Sequence, residues 1–218
     1  MAYFWGQLSK VLTAEFICHD GLGEMMKKNW FCFFFFVLCF IPFRGNSMYQ
    51  VRSFVGAATC GGKLLKKNQE IKESCLLETY SLSNLFLGIE KQDYLAFSEE
   101  SKGKVLTSQE LEIKSGIFRY ELSSPQTVLT NEAKIEISKG KGIIKVSETL
   151  KETEVIVFEG IANVTNLLQP NKTELAAVSI NQWAGIGGRF GKKIGDLLEL
   201  SKEQVEIYKV ILTINKEE

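Results

Sequence analysis

LEIKSGIFRYEL, residues 111–122, decides how this chain folds. Ile117, Arg119 and Glu121 alternate with Phe118, Tyr120 and Leu122. A period of two puts the aromatic set on one face of an extended strand and the charged set on the other. LEIKSG leads into that strand.

The same texture runs outward in both directions. VRSFVGAAT reads as one strand, and IKESCLLET as another with Ile71, Leu76 and Thr79 inside it. NLFLGIE and DYLAFSE flank a hairpin turn at residues 91–92. AKIEIS, GIIKVSE, EVIVFEG and IANVTNL continue the series. Short β-rich runs separated by Gly, Asn, Ser and Lys clusters, at a spacing of about 8–12 residues, predict an all-β sandwich, roll or solenoid of antiparallel sheets. Pro125 and Pro170 fall between the runs, where a missing donor breaks no ladder. After Gly185 the pattern changes. GIGGRFGKK reads as a flexible basic connector, followed by a short helix that Ser201 caps, with Gln204 in the capping-box position. Val205, Tyr208 and Leu212 would share a helix face, unless ILTIN forms a short strand instead. The predicted division is a β domain over 48–186, then connector and helix over 187–218.

In front stands MMKKNWFCFFFFVLCFIPFRGNS, residues 25–47. Lys27 and Lys28 make a positive start, and an apolar run from residue 30 to 43 follows. That length suits a signal-peptide core of roughly 7–15 residues and is short of the ~20 residues of a membrane span. Small residues at Gly45, Asn46 and Ser47 place a cleavage site between Ser47 and Met48. Residues 1–24 then read as an extension upstream of the true start, or as a short tail. Two other readings stand: an uncleaved membrane anchor, and a lipoprotein modified at Cys39. Leu38 is larger than the small residue usual before a lipidated cysteine.

The chain carries 26 basic and 26 acidic residues. Removing residues 1–47 leaves 22 and 23, near neutrality. A nucleic-acid binder carries a basic face, so that class is set aside. Of five cysteines, only Cys60 and Cys75 lie beyond the export segment. In an exported chain they read as one disulfide, or as two buried thiols. His19, the one histidine, lies upstream, so neither a zinc site nor a histidine-based triad is expected in the mature part.

GIGGRFGKK fails as a phosphate loop. Ile186 stands where that loop needs glycine, and Lys193 where it needs a hydroxyl. Glu99 and Glu100 are the carboxylate pair that a glycosidase would need across a cleft, but they read as an exposed turn. NVT at Asn163 and NKT at Asn171 have the form of glycosylation sequons, which matter only in a eukaryotic secretory pathway. Trp183, in INQWAGI, is the one tryptophan beyond the export segment. It reads as a cap on the sheet stack or as a ligand-stacking ring. No catalytic, cofactor or metal residues are predicted.

Taken in order, these segments resemble a FecR-type domain over roughly residues 50–186. Val51, Val55 and Gly56 match the opening strand. Leu65, Ile71 and Thr79 match the next element, NLFLGIEKQDYLAFSEES the strand pair, and Leu111, Ile113 and Gly116 the leucine-x-leucine-x-x-glycine strand. Asn68, Asn131 and KGKG at 139–142 depart from the pattern at turn positions. The resemblance implies a periplasmic or surface β domain. The best-known members sense an outer-membrane receptor and control a sigma factor through a cytoplasmic helical domain, for which residues 1–24 are too few.

The expectation is therefore an exported, non-enzymatic FecR-like domain, periplasmic or envelope-associated, with a protein partner and no cofactor. The alternatives are a membrane-anchored sensor with an inner-membrane partner, and an envelope carbohydrate binder or enzyme using Trp183 or Glu99 and Glu100.

Overall fold

The computed structural model describes residues 49–213, residues 73 and 90–92 excepted, with side chains as far as 208 in the last helix. Ser47, Met48 and the whole export segment lie outside them. The described chain forms sixteen strands and one α-helix, so the fold is all-β.

Three long strands organise it: β9 (Glu110–Leu122), β11 (Ala133–Ser147) and β12 (Glu152–Asn166). Each serves two sheet layers, one with each half. In the first layer, residues 152–157, 140–147 and 116–122 lie side by side. β14 (Gln182–Gly187) extends it on one flank. β7 (Tyr94–Phe97), β6 (Asn84–Gly88), β1 (Tyr49–Val55) and β4 (Glu70–Ile71) extend it on the other. In the second layer, residues 162–166 and 133–137 pair, and β10 (Gln126–Leu129) sits between 134–137 and 110–112. β13 (Leu175–Val178) closes one flank. β8 (Lys102–Thr107), β5 (Leu76–Thr79), β2 (Ala58–Cys60) and β3 (Lys63–Leu64) continue the other. The pairing of β9 with β10 is parallel, which departs from the expected all-antiparallel arrangement.

The crossover between layers explains a second difference from the sequence reading. AKIEIS and GIIKVSE are one strand, and so are EVIVFEG and IANVTNL. Each long strand changes inward parity once. In β11 the core residues are Ile135 and Ile137, then Ile144 and Val146; in β12 they are Val155 and Val157, then Ala162 and Val164. The change falls at Gly140 (φ 139°) and Gly160 (φ 83°), which face each other across the ladder. A Cβ on either would drive into the other strand's backbone, at the Glu159 or Lys139 carbonyl. An L-residue strongly resists both that backbone conformation and that approach. The glycines thus bulge the strands instead of ending them, and one extra residue turns the inward set over. Gly116 has the same role in β9, where Leu111 and Ile113 give way to Phe118, Tyr120 and Leu122.

The inward sets of both layers form one apolar cluster. Phe97 meets Phe118 edge-on at 5.3 Å inside it. VRSFVGAAT divides into β1 and β2, where the Ala57 N–H donates to Ser83 Oγ at 2.9 Å. IKESCLLET likewise divides into β4 and β5. β6 and β7 pair antiparallel as expected, although the turn at 91–92 lies outside the described residues.

The predicted connector is corrected. Beyond Gly187 the chain makes a 3-10 turn (Gly188–Phe190), then β15 (Gly191–Ile194) and β16 (Leu198–Glu199), both paired to β14. Pairing to the flank of β14 gives these backbone groups partners that a free linker would take from water. Helix α1 (Lys202–Thr213) follows and includes 211–213, the start of ILTIN. Its capping box is formed: Ser201 N–H donates to Gln204 Oε1 at 2.8 Å, and Gln204 N–H to Ser201 Oγ at 3.2 Å. Among the described residues, no helix is long and apolar enough to cross a membrane.

Candidate interaction surface

The outer face of the first layer is built in rows. Register places Arg119, Ile143, Ile156 and Trp183 across β9, β11, β12 and β14, with Leu198 of β16 beside Trp183. Ile143, Ile156 and Phe158 are buried on this outer side, covered by Trp183, Leu200 and Tyr208. Tyr208 reaches them from α1, its ring 5.6 Å from Phe158. Lys145 spans the same ring, 5.2 Å from its centre and 3.2 Å from its hydroxyl.

Trp183 is half-buried here. One side packs into that cluster, and its edge meets Phe190 at 5.8 Å. Phe190 lies over Gly185, where any Cβ would strike the ring. Arg189 stacks 4.8 Å above Phe190 and holds Glu154 at 2.7 Å and the buried Glu152 at 3.6 Å. Leu198, 47% exposed, continues the apolar surface to the sheet margin. Tryptophan and arginine are the side chains over-represented at the energetic centres of protein contacts.

The other sequence candidates fall elsewhere. Cys60 and Cys75 are bonded, with Cα atoms 5.5 Å apart, and close a 15-residue loop at the far margin of the second layer. Glu99 and Glu100 form the turn between β7 and β8, where Glu99 accepts from the Leu82 N–H at 3.0 Å and Glu100 takes φ 53°. They sit side by side on one turn, not across a cleft. A cleft of about 390 Å³ opens at the strand bends, lined by Glu121, Ser123, Lys139, Lys141 and Glu159. Lys141 bridges Glu159 at 2.9 Å and Glu121 at 3.6 Å. The Glu159 bond, with Glu121 beside it, raises the Lys141 ammonium above its ordinary range.

Sequence reasoning missed the buried polar residues. Arg119, placed by alternation on the face opposite the aromatic set, is buried there and donates to Asn84 Oδ1 at 3.1 Å and Ser98 Oγ at 3.0 Å. Asp93 is shielded and accepts from the Ser123 N–H at 2.7 Å and from the Ser123 and Ser124 hydroxyls. Burial acts to raise its carboxyl, but these bonds and the nearby Arg52 outweigh it and hold it below the usual range. Thr153 donates from its hydroxyl to buried Glu132 at 2.9 Å and lies 2.8 Å from the Thr130 hydroxyl. Asp93, Glu132 and Thr153 lie beside turns at strand ends, whereas Arg119 lies within β9. Each serves strand ends or the sheet face. Among the described residues, no group of three or more His, Cys, Asp or Glu side chains could hold a metal ion.

No protein-family model matches the chain, and no curated protein is similar to it. Two solved structures, each of a "putative anti-sigma factor from Parabacteroides distasonis ATCC 8503" at 1.65 and 2.50 Å resolution, align with it. Identities are 10% and 11%, and the TM-score is 0.49 in both cases. The alignments cover 62% and 63% of this chain and 64% of each of those, so the chain spans just under two thirds of their length. They assign it no family.

Proposed function

We propose that this chain is an exported, non-enzymatic β domain of a bacterial envelope that works through contacts with another protein, in a signalling or scaffold role. The observation that carries the proposal is the half-open patch of Trp183, Phe190, Arg189 and Leu198, beside outward apolar residues that Leu200 and Tyr208 help to cover. Desolvated aromatic and arginine side chains are what protein partners bind most strongly. The bonded Cys60 and Cys75 suit an oxidising compartment. The dilysine and apolar segment at 27–43 supplies a route there, and the FecR-like order of strands gives the signalling sense.

The test is a photo-crosslinking residue at Leu198, in cells of the native source. One recurrent envelope adduct is expected, and Trp183→Ala should abolish it while the chain still unfolds cooperatively, at a somewhat lower midpoint because the ring also covers Ile156 and Phe158. Adducts confined to cytoplasmic proteins, or free Cys60 and Cys75 thiols in intact cells, would defeat the proposal. Intact mass of the purified chain separates the two forms of it. A start near Met48 makes the domain soluble after export, and retention of residues 30–43 makes it an anchored sensor.

A further inference from the structure

The two layers end in margins of unequal character, and three are protected. β3 and β4 hold two residues each, too short to template another strand. β15 carries Lys192 and Lys193, and the loop after β12 occupies its outer side. There the Lys192 carbonyl accepts from Asn166 Nδ2 and Gln169 Nε2, each at 2.8 Å, and the Ile194 N–H donates to Glu174 Oε2 at 3.2 Å.

The fourth margin, β13, lacks these devices. Its sequence LAAV carries no charge and no proline. Asn166 N–H donates to the Glu174 carbonyl at 3.0 Å, and the register runs Val164 to Ala176 and Ala162 to Val178. In an antiparallel ladder of that phase, Ala176 and Val178 spend their backbone groups on β12, while those of Leu175 and Ala177 point away from it. Leu175 is 61% exposed and Ala177 is exposed beside it.

We infer that β13 pairs with β13 of a second copy of this chain, antiparallel about a two-fold axis at Ala176. The sequence is self-complementary in that register. Leu175 faces Ala177 of the copy and exchanges both backbone bonds with it, and the symmetric pair repeats this. Glu174 then faces Val178, Thr173 faces Ser179 and Lys172 faces Ile180, so no charge opposes a like charge. A one-residue slip would set Leu175 against Ala176, whose backbone groups are already spent on β12, and moving the axis to Glu174 would set two carboxylates face to face. Such an isologous contact joins the two second layers into one continuous sheet. Its area falls well below a standard interface of ~1,600 Å², so it is weak and reversible. This contact is independent of the patch at Trp183.

Sedimentation equilibrium of the whole purified chain tests it. The weight-average mass should climb toward twice the chain's between about 10 µM and 1 mM, the range of small interfaces. Ala177→Pro removes an outward N–H that β12 does not use, and Ala177→Lys sets a charge beside its symmetry mate. Both should hold the chain monomeric at unchanged thermal midpoint. Ala176→Cys reports the register: a non-hydrogen-bonded pair sets Cα atoms ~4.5 Å apart, within disulfide reach. Oxidation should give a covalent dimer, and Thr127→Cys on the outer face of β10 should not. A flat mass across the range overturns the inference. So does association that survives both Ala177 substitutions, or an Ala176→Cys chain that stays monomeric on oxidation.

Discussion

The two outer faces of this domain are made by the same strands and have opposite chemistry. On the first layer β11 and β12 present Ile143, Ile156 and Phe158, sealed by Trp183, Leu200 and Tyr208. On the second layer the same strands present Lys134, Glu136, Asn163 and Thr165 to solvent, with Lys134 and Glu136 paired at 2.7 Å. Both faces obey the period of two. They differ because Gly140 and Gly160 insert one residue and exchange the inward and outward sets midway. One pair of glycines therefore decides which side chains meet water and which meet the helix.

The hardest blow to that contrast is Gly160→Val. A β-branched residue at φ 83°, with its Cβ against the Lys139 carbonyl, combines backbone strain of ~1–3 kcal/mol with a clash that backbone cannot relieve. The expected result is no cooperative unfolding transition, or a loss of several kcal/mol by denaturant titration; a wild-type midpoint would refute the bulge mechanism. Next is Phe158→Ala, which should lose roughly 3 kcal/mol in the same titration, since a buried aromatic leaves a cavity when truncated. Thr165→Ala on the opposite face of the same strand should stay within about 0.5 kcal/mol. Equal losses would erase the distinction between the faces.

Reducing Cys60 and Cys75 probes the margin of the second layer, far from the helix. Chain entropy for a 15-residue loop gives roughly 3 kcal/mol. An unchanged thermal midpoint on full reduction would show that this margin is held without the bond. Asp93 gives a smaller, pH-dependent effect. Its folded carboxyl is held below the usual range, so the stabilisation it gives is full above an unfolded value of ~3.9 and is lost as pH falls through the lower folded value. Asp93→Asn should therefore be less stable than wild type near neutrality, and the gap should begin to close as pH falls below about 4. A gap constant from pH 7 to 3 would remove the charge from the account. The smallest effect belongs to Lys134→Ala, within about 0.5 kcal/mol, because exposed ion pairs are worth little.

Much of this was legible early. The strand over 117–122 carries its aromatic set inward as its alternation predicts, and the capping box at Ser201 and Gln204 forms as read. The burial of Arg119 was not legible, because alternation shows only which face a residue occupies, and a face can be covered by its own neighbours. The connector after Gly187 was misjudged for a related reason. Gly-rich, basic sequence is compatible with a margin strand, and only the flank of β14 shows that partners exist for it. At the candidate patch, Trp183 was singled out from sequence, while Phe190, Arg189 and Leu198 join it only through the turn and β16.

By itself the sequence determined the class of fold, the inward set within each short run and the helix start, because these rest on local periodicity and local hydrogen bonds. Which runs fuse into one strand, which layer each half enters, and which margin stays open were decided only in the tertiary structure. Those outcomes depend on long-range pairing, where two glycines twenty residues apart in sequence must face each other before either has its effect.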